Sequence, residues 1–290
     1  MSSADPVASS ALPARRAWLQ LARVSNTPTT ISNSVAGAIV VSTTASAITV
    51  AVVAVAIALF YTAGMILNDV LDYEVDRRER PERPLPSGQV SRNAAVVAVV
   101  VLFVTGAGLL ALEGSATFVA GLTLIGVIVL YDAWHKTNPL SPLLMATCRG
   151  LVYVVAGLAA AGTLTGELWG AAALLFVYVV GLTQVAKVEG RGSAARWPIV
   201  GLLAPVAYWA KELPSLEVSA LIAAFALWVA YALWLVTRRR IGAGVARLIA
   251  GIALYDALVV AGTRGSAVAV AVCLAAFVAT SALQTRITGT

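Results

Sequence analysis

Ten long apolar stretches follow one another along this chain, near residues 26–44, 48–70, 93–112, 116–134, 142–163, 168–188, 197–212, 216–236, 245–262 and 266–284. A helix needs about 20 largely apolar residues to cross the hydrocarbon core of a bilayer. The pattern therefore predicts an all-α protein, a polytopic transmembrane helical bundle of nine to ten helices. Its interior is rich in Ala, Gly and Val, which let neighbouring membrane helices approach closely. Arg247, Tyr255 and Asp256 interrupt the ninth stretch, and Gly262-Thr263-Arg264-Gly265 makes a tight break before the tenth. Charged residues are 12% of the chain. Soluble domains average about 25%, so a soluble domain with a single anchor is excluded. Residues 1–23 read as a disordered or interfacial leader without signal-peptide features, and 24–290 as one transmembrane helical domain.

The loops alternate in charge. One set holds Arg77, Arg78, Arg80, Arg83 and Arg92, then His135 and Lys136, then Lys187, Arg191 and Arg196, then Arg238, Arg239 and Arg240. On the other side lie only Lys211 and Arg264 of twenty basic residues. The positive-inside rule predicts an integral protein of a bacterial-type cell membrane with its N-terminus and the first basic loop in the cytoplasm. Topology thus accounts for the net charge of +6, and no nucleic-acid partner is expected. Cys148 and Cys273 both lie in apolar runs and suit neither a disulfide framework nor a zinc site. A lone histidine, His135, excludes a histidine-based metal centre.

The second apolar stretch ends in Asn68-Asp69-Val70-Leu71-Asp72-Tyr73-Glu74-Val75-Asp76. Positions 68, 72 and 76 share one face of a continuing helix. Acids of one sign at this spacing repel unless a cation holds them. Hard oxygen ligands where a membrane helix meets water point to a divalent-cation site. The plainer alternative is a solvated helix end. Such a site beside basic loops suits a phosphorylated substrate, because a divalent ion bridges phosphate oxygens while Arg and Lys complete the clamp. An apolar bundle adds room for a greasy tail, so the ligand expected is an isoprenyl diphosphate.

Asn68-Asp-x-x-Asp72-x-x-x-Asp76, followed by Glu82-Arg83-Pro84-Leu85-Pro86-Ser87-Gly88, resembles the first signature of the UbiA superfamily of intramembrane prenyltransferases. Tyr131 to Lys136 resembles that family's Tyr-x-x-x-Lys segment, with the lysine one place later. The resemblance implies a UbiA-like bundle of two pseudo-repeated halves around a central cavity. It also implies magnesium at Asn68 and Asp72, with Asp76 adding through water and Asp69 orienting ligands. It assigns Arg83, Lys136 and Arg149 to diphosphate, and a lipophilic or aromatic acceptor as second substrate. Each basic residue has a plainer reading. Arg83 could be ordinary positive-inside charge and Lys136 an interfacial, snorkelling lysine, whereas Arg149 lies two turns into a membrane helix. Tyr61, on the face of Asn68, could stabilise a carbocation or simply pack.

The chain departs from the family at the end of its sixth stretch. Where members carry an Asp-x-x-x-Asp motif, it has Lys187-Val-Glu189-Gly-Arg191. One expectation is that Lys187 and Arg191 replace a second metal and bind diphosphate directly. The other is that the protein has become a non-catalytic isoprenoid-binding member. The basic pair resembles divergent EboC-like members. A UbiA-type terpene cyclase and a transporter are the remaining alternatives. Polar residues gathered at one membrane edge favour an enzyme over a transporter, which places its site near mid-membrane.

Overall fold

The structure is a computed structural model, described for residues 14–136, 138–187, 197–211, 215–263 and 266–287. The regular elements among these residues are helices. They are α1 (Ala14–Leu21), α2 (Pro28–Val41), α3 (Ala47–Leu71), α4 (Tyr73–Glu79), α5 (Arg92–Leu112) and α6 (Ser115–Trp134). The second part comprises α7 (Ser141–Ala161), α8 (Gly166–Lys187), α9 (Trp197–Trp209), α10 (Leu216–Thr237), α11 (Ile241–Thr263) and α12 (Ala267–Arg286). Eight of them, α3, α5 to α8 and α10 to α12, are long and apolar enough to cross a membrane.

Among the described residues each of the ten apolar stretches forms a helix, but two of the helices are shorter than expected. α2 has 14 residues and α9 has 13. Pro28 opens α2 at a position where its missing N–H is not needed, and an extended backbone at Ser42 closes it. Pro205 lies inside α9 and removes a backbone donor there. Polar caps set other boundaries: the hydroxyls of Ser91, Ser215 and Ser266 accept the amides of Ala94, Val218 and Ala269.

The helices pack around two central members. α2 buries Thr29, Thr30, Ser32, Asn33 and Ser34 and packs on α3, α7, α11 and α12. α11 packs on α2, α8, α10 and α12, so the interruption at Tyr255 and Asp256 marks a buried core helix. α2 and α7 touch closely at Gly37, where an added Cβ would lie 2.8 Å from the Cα of Tyr153. One apolar core joins α7, α8 and α10 to α12 against α2. A second joins α3, α5, α6 and α7. Outward-facing Val97, Val101, Val104 and Leu227 are exposed, as a lipid-facing surface requires. α1 docks through buried Ala17 and Leu21 beside Ile66, Leu85 and Val90. The later part of the leader is thus an ordered helix, and residues 1–13 lie outside the described residues.

Candidate active site at the end of α3

The α3–α4 joint keeps the acidic row intact. Asp72 has φ −83° and ψ −1°. The ladder runs through it, with the Asp72 amide donating to the Asn68 carbonyl and the Asp76 amide to the Asp72 carbonyl, each at 2.9 Å. Asn68, Asp72 and Asp76 consequently line one cavity of about 440 Å³ together with Arg23, Arg80, Arg83, His135 and Lys136.

Cations hold this row. Arg83 Nη1 lies 2.6 Å from Asp76 Oδ2, and Lys136 Nζ lies 2.8 Å from Asp72 Oδ1. His135 stacks on Tyr131 at 5.2 Å and brings Nε2 within 3.7 Å of Asp72. The 80–91 loop aims Arg83. The Val90 amide donates to the Pro84 carbonyl and the Ser87 hydroxyl to the Arg83 carbonyl. Leu85 and Val90 are buried. Gly88 takes φ +77°, a left-handed turn that glycine adopts without strain.

Asp69 turns away from the cavity. It is buried, 3.3 Å from Arg23 Nη2 and 3.6 Å from Arg83 Nη1. Asn68 donates Nδ2 to Asp132 Oδ1 at 3.2 Å, so its own Oδ1 remains an acceptor. Asp132 Oδ2 is buried without a hydrogen-bond partner.

Met65, Tyr131 and Met145 line both this cavity and a second, narrower pocket of about 80 Å³. The walls of that pocket are mainly apolar, with Ile57, Phe60, Leu124, Ile128 and Val152, and they include Tyr61 and Arg149. A charged vestibule therefore adjoins a greasy slot.

The structure brings Asn68, Asp72, Asp76, Arg83 and Lys136 to one cavity. Asp69 lies behind it and Arg149 lines the apolar pocket instead. Lys187 Nζ donates to Ser141 Oγ at 2.7 Å. Arg191 lies outside the described residues. Arg23, Arg80 and His135 join the site without having been singled out for it. Arg23 was hidden by its place in the leader. Its backbone is left-handed, φ 44° and ψ 46°, at the turn between α1 and α2.

Among the described residues no three His, Cys, Asp or Glu side chains converge as a preformed metal cage. The oxygen donors that line the cavity include Asn68 Oδ1 and the carboxylates of Asp72, Asp76 and Glu79, with the His135 ring beside Asp72. That donor chemistry fits a hard divalent cation. Taking one up requires Lys136 and Arg83 to release the carboxylates they now neutralise.

A helical membrane bundle with an acidic helix end, facing cations at the mouth of an apolar slot, has the organisation of an intramembrane prenyltransferase. The UbiA prenyltransferase family matches residues 30–279, and the chain belongs to that family, an integral membrane protein. It is 36% identical over 107 residues to digeranylgeranylglyceryl phosphate synthase of Saccharolobus solfataricus, covering 37% of this chain and 38% of that one. The same-named protein of Sulfolobus acidocaldarius is 30% identical over 155 residues, covering 52% of this chain and 55% of the relative. The chain therefore spans between about two fifths and about half the length of these relatives.

Solved structures share the fold over more of the chain. One concerning digeranylgeranylglyceryl phosphate synthase in membranes superposes with a TM-score of 0.60 at 18% identity, covering 92% of this chain and 99% of that one. A UbiA homolog from Archaeoglobus fulgidus bound to GPP and Mg2+ gives 0.53 at 15% identity, covering 90% and 99%.

Proposed function

We propose that the protein transfers an isoprenyl group from a prenyl diphosphate to a lipophilic or aromatic acceptor, with magnesium. The observation that carries this reading is the junction at Met65, Tyr131 and Met145 between the charged cavity and the apolar pocket. A molecule with a diphosphate head and a hydrocarbon tail matches both sides of it. Asn68, Asp72 and Asp76 would hold the magnesium ion, whose chemistry is to stabilise charge on the departing diphosphate. Arg23, Arg83 and Lys136 bind diphosphate oxygens, Arg in bidentate fashion. Asp132 orients the Asn68 amide. The apolar walls keep water from an allylic cation until the acceptor captures it.

Two neighbours support the donor class, since the Archaeoglobus fulgidus homolog was solved with GPP and Mg2+ and with DMAPP and Mg2+. The glyceryl phosphate class in the relatives' name supplies the first acceptor to test. The excess of basic residues in the loops on the cavity side supports a cytoplasmic orientation for the site.

The test is incubation of the purified protein in liposomes with radiolabelled geranylgeranyl diphosphate, with and without magnesium. Diphosphate release or labelled lipid is expected only with magnesium and only with Asp72 present. Release unchanged in Asp72→Ala would remove the metal assignment, and no release with any acceptor would remove the transfer reading.

A further inference from the structure

Two charged side chains inside the spans are held by polar groups of their own bundle. Asp256 accepts from Ser32 Oγ at 2.5 Å, Asn33 Nδ2 at 2.9 Å and Tyr153 Oη at 2.7 Å. Arg149 donates to Asn33 Oδ1 at 2.9 Å and to Thr29 Oγ1 at 3.1 Å. Arg247 differs from both. It follows the start of α11 at Ile241 by about 9 Å, at a rise of about 1.5 Å per residue. Among the described residues its guanidinium makes neither a hydrogen bond nor an ion pair, and it lies 5.8 Å from the Trp228 ring centroid. Its backbone is fixed, since Trp228 Nε1 donates to the Arg247 carbonyl at 2.7 Å. A charge in a membrane helix needs a partner, and the bundle supplies this one with an aromatic face alone.

Arg247 lines a groove of about 530 Å³ where α10 and α12 both pack on α11. Trp228 and Phe277 meet in it edge to face, 4.6 Å between ring centroids. Tyr231 and Val278 are exposed on its walls. Ser281 lines it too, and the Ser281 hydroxyl has no hydrogen-bond partner. From the groove an aromatic row continues along α10 to the basic turn. Trp228 lies 5.9 Å from Tyr231, Tyr231 6.1 Å from Trp234, and Trp234 5.4 Å from the Arg238 guanidinium. Gln284 donates to the Ala246 carbonyl at 2.8 Å, which sets the end of α12 beside the start of α11. Charge at this end has one sign. Arg238, Arg239, Arg240, Arg247 and Arg286 gather there, and from Val218 to Thr290 the sequence holds one acid, Asp256, already engaged.

We propose that this groove binds one anionic phospholipid of the surrounding membrane, its phosphate on Arg247 and an acyl chain against Trp228, Phe277 and Val278. A soluble anion would leave the apolar walls bare. A zwitterionic lipid would bring its own cation to a site that already has several, and an anionic lipid does not. The basic loops place the groove toward the cytoplasmic leaflet, whose negative surface attracts arginines at such positions. The groove shares no lining residue with the charged cavity or the apolar pocket, so the proposal stands apart from the transfer reading. The lipid would act as a clamp across α10, α11 and α12.

The experiment is native mass spectrometry of the full-length protein equilibrated in detergent with equimolar phosphatidylglycerol and phosphatidylcholine, counting the lipids that stay bound. Wild type is expected to retain one phosphatidylglycerol about fivefold over phosphatidylcholine, the scale of one arginine facing an anionic lipid. Arg247→Gln brings that ratio to about one. Arg286→Gln removes an equal charge outside the groove and keeps the ratio within about twofold. Ala282→Trp fills the groove with every charge in place, and it also removes the bound lipid. Ala282 is exposed on the groove wall, so this variant carries the test if Arg247→Gln fails to fold. Added phosphatidylglycerol raises the melting temperature of wild type and Arg286→Gln and leaves that of the other two unchanged.

Equal retention of the two lipids by wild type overturns the proposal, as does an unchanged ratio in Arg247→Gln or Ala282→Trp. A loss in Arg286→Gln as large as in Arg247→Gln overturns it too, because the attraction would then belong to the basic surface as a whole. Displacement of the bound phosphatidylglycerol by inorganic phosphate overturns it in favour of a soluble-anion site. None of these outcomes depends on prenyl transfer, so the two readings fail separately.

Discussion

On the transfer reading proposed above, the ion pairs of the cavity would make magnesium and diphosphate depend on each other. Without ligands, Lys136 neutralises Asp72 and Arg83 neutralises Asp76. Magnesium needs the carboxylates and diphosphate needs the cations, so either ligand alone must break pairs and both together share that cost. The side chains of Lys136 and Asp72 are 40% and 12% exposed, and those of Arg83 and Asp76 are 19% and 7% exposed, so neither pair is fully dry. Pairs of this kind contribute about 1 kcal/mol each. Two together give a coupling of about 2 kcal/mol, or about 30-fold in affinity, and linkage makes it reciprocal.

Asp72→Asn tests this with a change of sign. The substitution frees Lys136 in the unliganded protein. In the presence of a chelator, pyrophosphate should therefore bind about fivefold more tightly than to wild type, the equivalent of about 1 kcal/mol. With magnesium in excess the order reverses, because a carboxylate ligand has been lost. Isothermal titration of pyrophosphate into the protein in nanodiscs reads both arms. Equal or weaker binding by Asp72→Asn in chelator would refute the reasoning, since the pair would then impose no barrier to the anion.

Three other substitutions probe neighbouring parts of the site. Asp132→Ala releases the Asn68 amide, and loss of such a supporting contact should lower magnesium affinity by about 10- to 100-fold with pyrophosphate binding in chelator unchanged, measured by the same titration. Arg23→Ala leaves buried Asp69 with Arg83 alone, 3.6 Å away, so it should destabilise the docked α1 by about 1–3 kcal/mol, seen as a lower melting temperature and faster proteolysis near residue 23. Gly106→Ala would place a Cβ 2.6 Å from the Phe60 ring and should destabilise the α3–α5 contact by about 1–3 kcal/mol, with much of the loss recovered by adding Phe60→Leu.

What could be read from the chain alone follows from the range over which each signal acts. Helix positions are local, since apolar length alone marks α3, α5 to α8 and α10 to α12 as spans. The acidic row at Asn68, Asp72 and Asp76 is also local, because four-residue spacing puts side chains on one face wherever the helix continues. Partners are not local. Arg23 meets Asp69 across 46 residues and Ser32 meets Asp256 across 224, distances over which no sequence period applies. The serines, threonines and asparagine of α2 belong to a buried central helix. Its polarity is explained only by Asp256 and Arg149, which lie on two other helices. A charge in a membrane helix must find partners, so a polar α2 and charged positions in α7 and α11 are three parts of one network. The acidic row could thus be read from a single helix end. The contacts of Arg149 and Asp256 arise only where α2, α7 and α11 meet, and no spacing within one helix announces them.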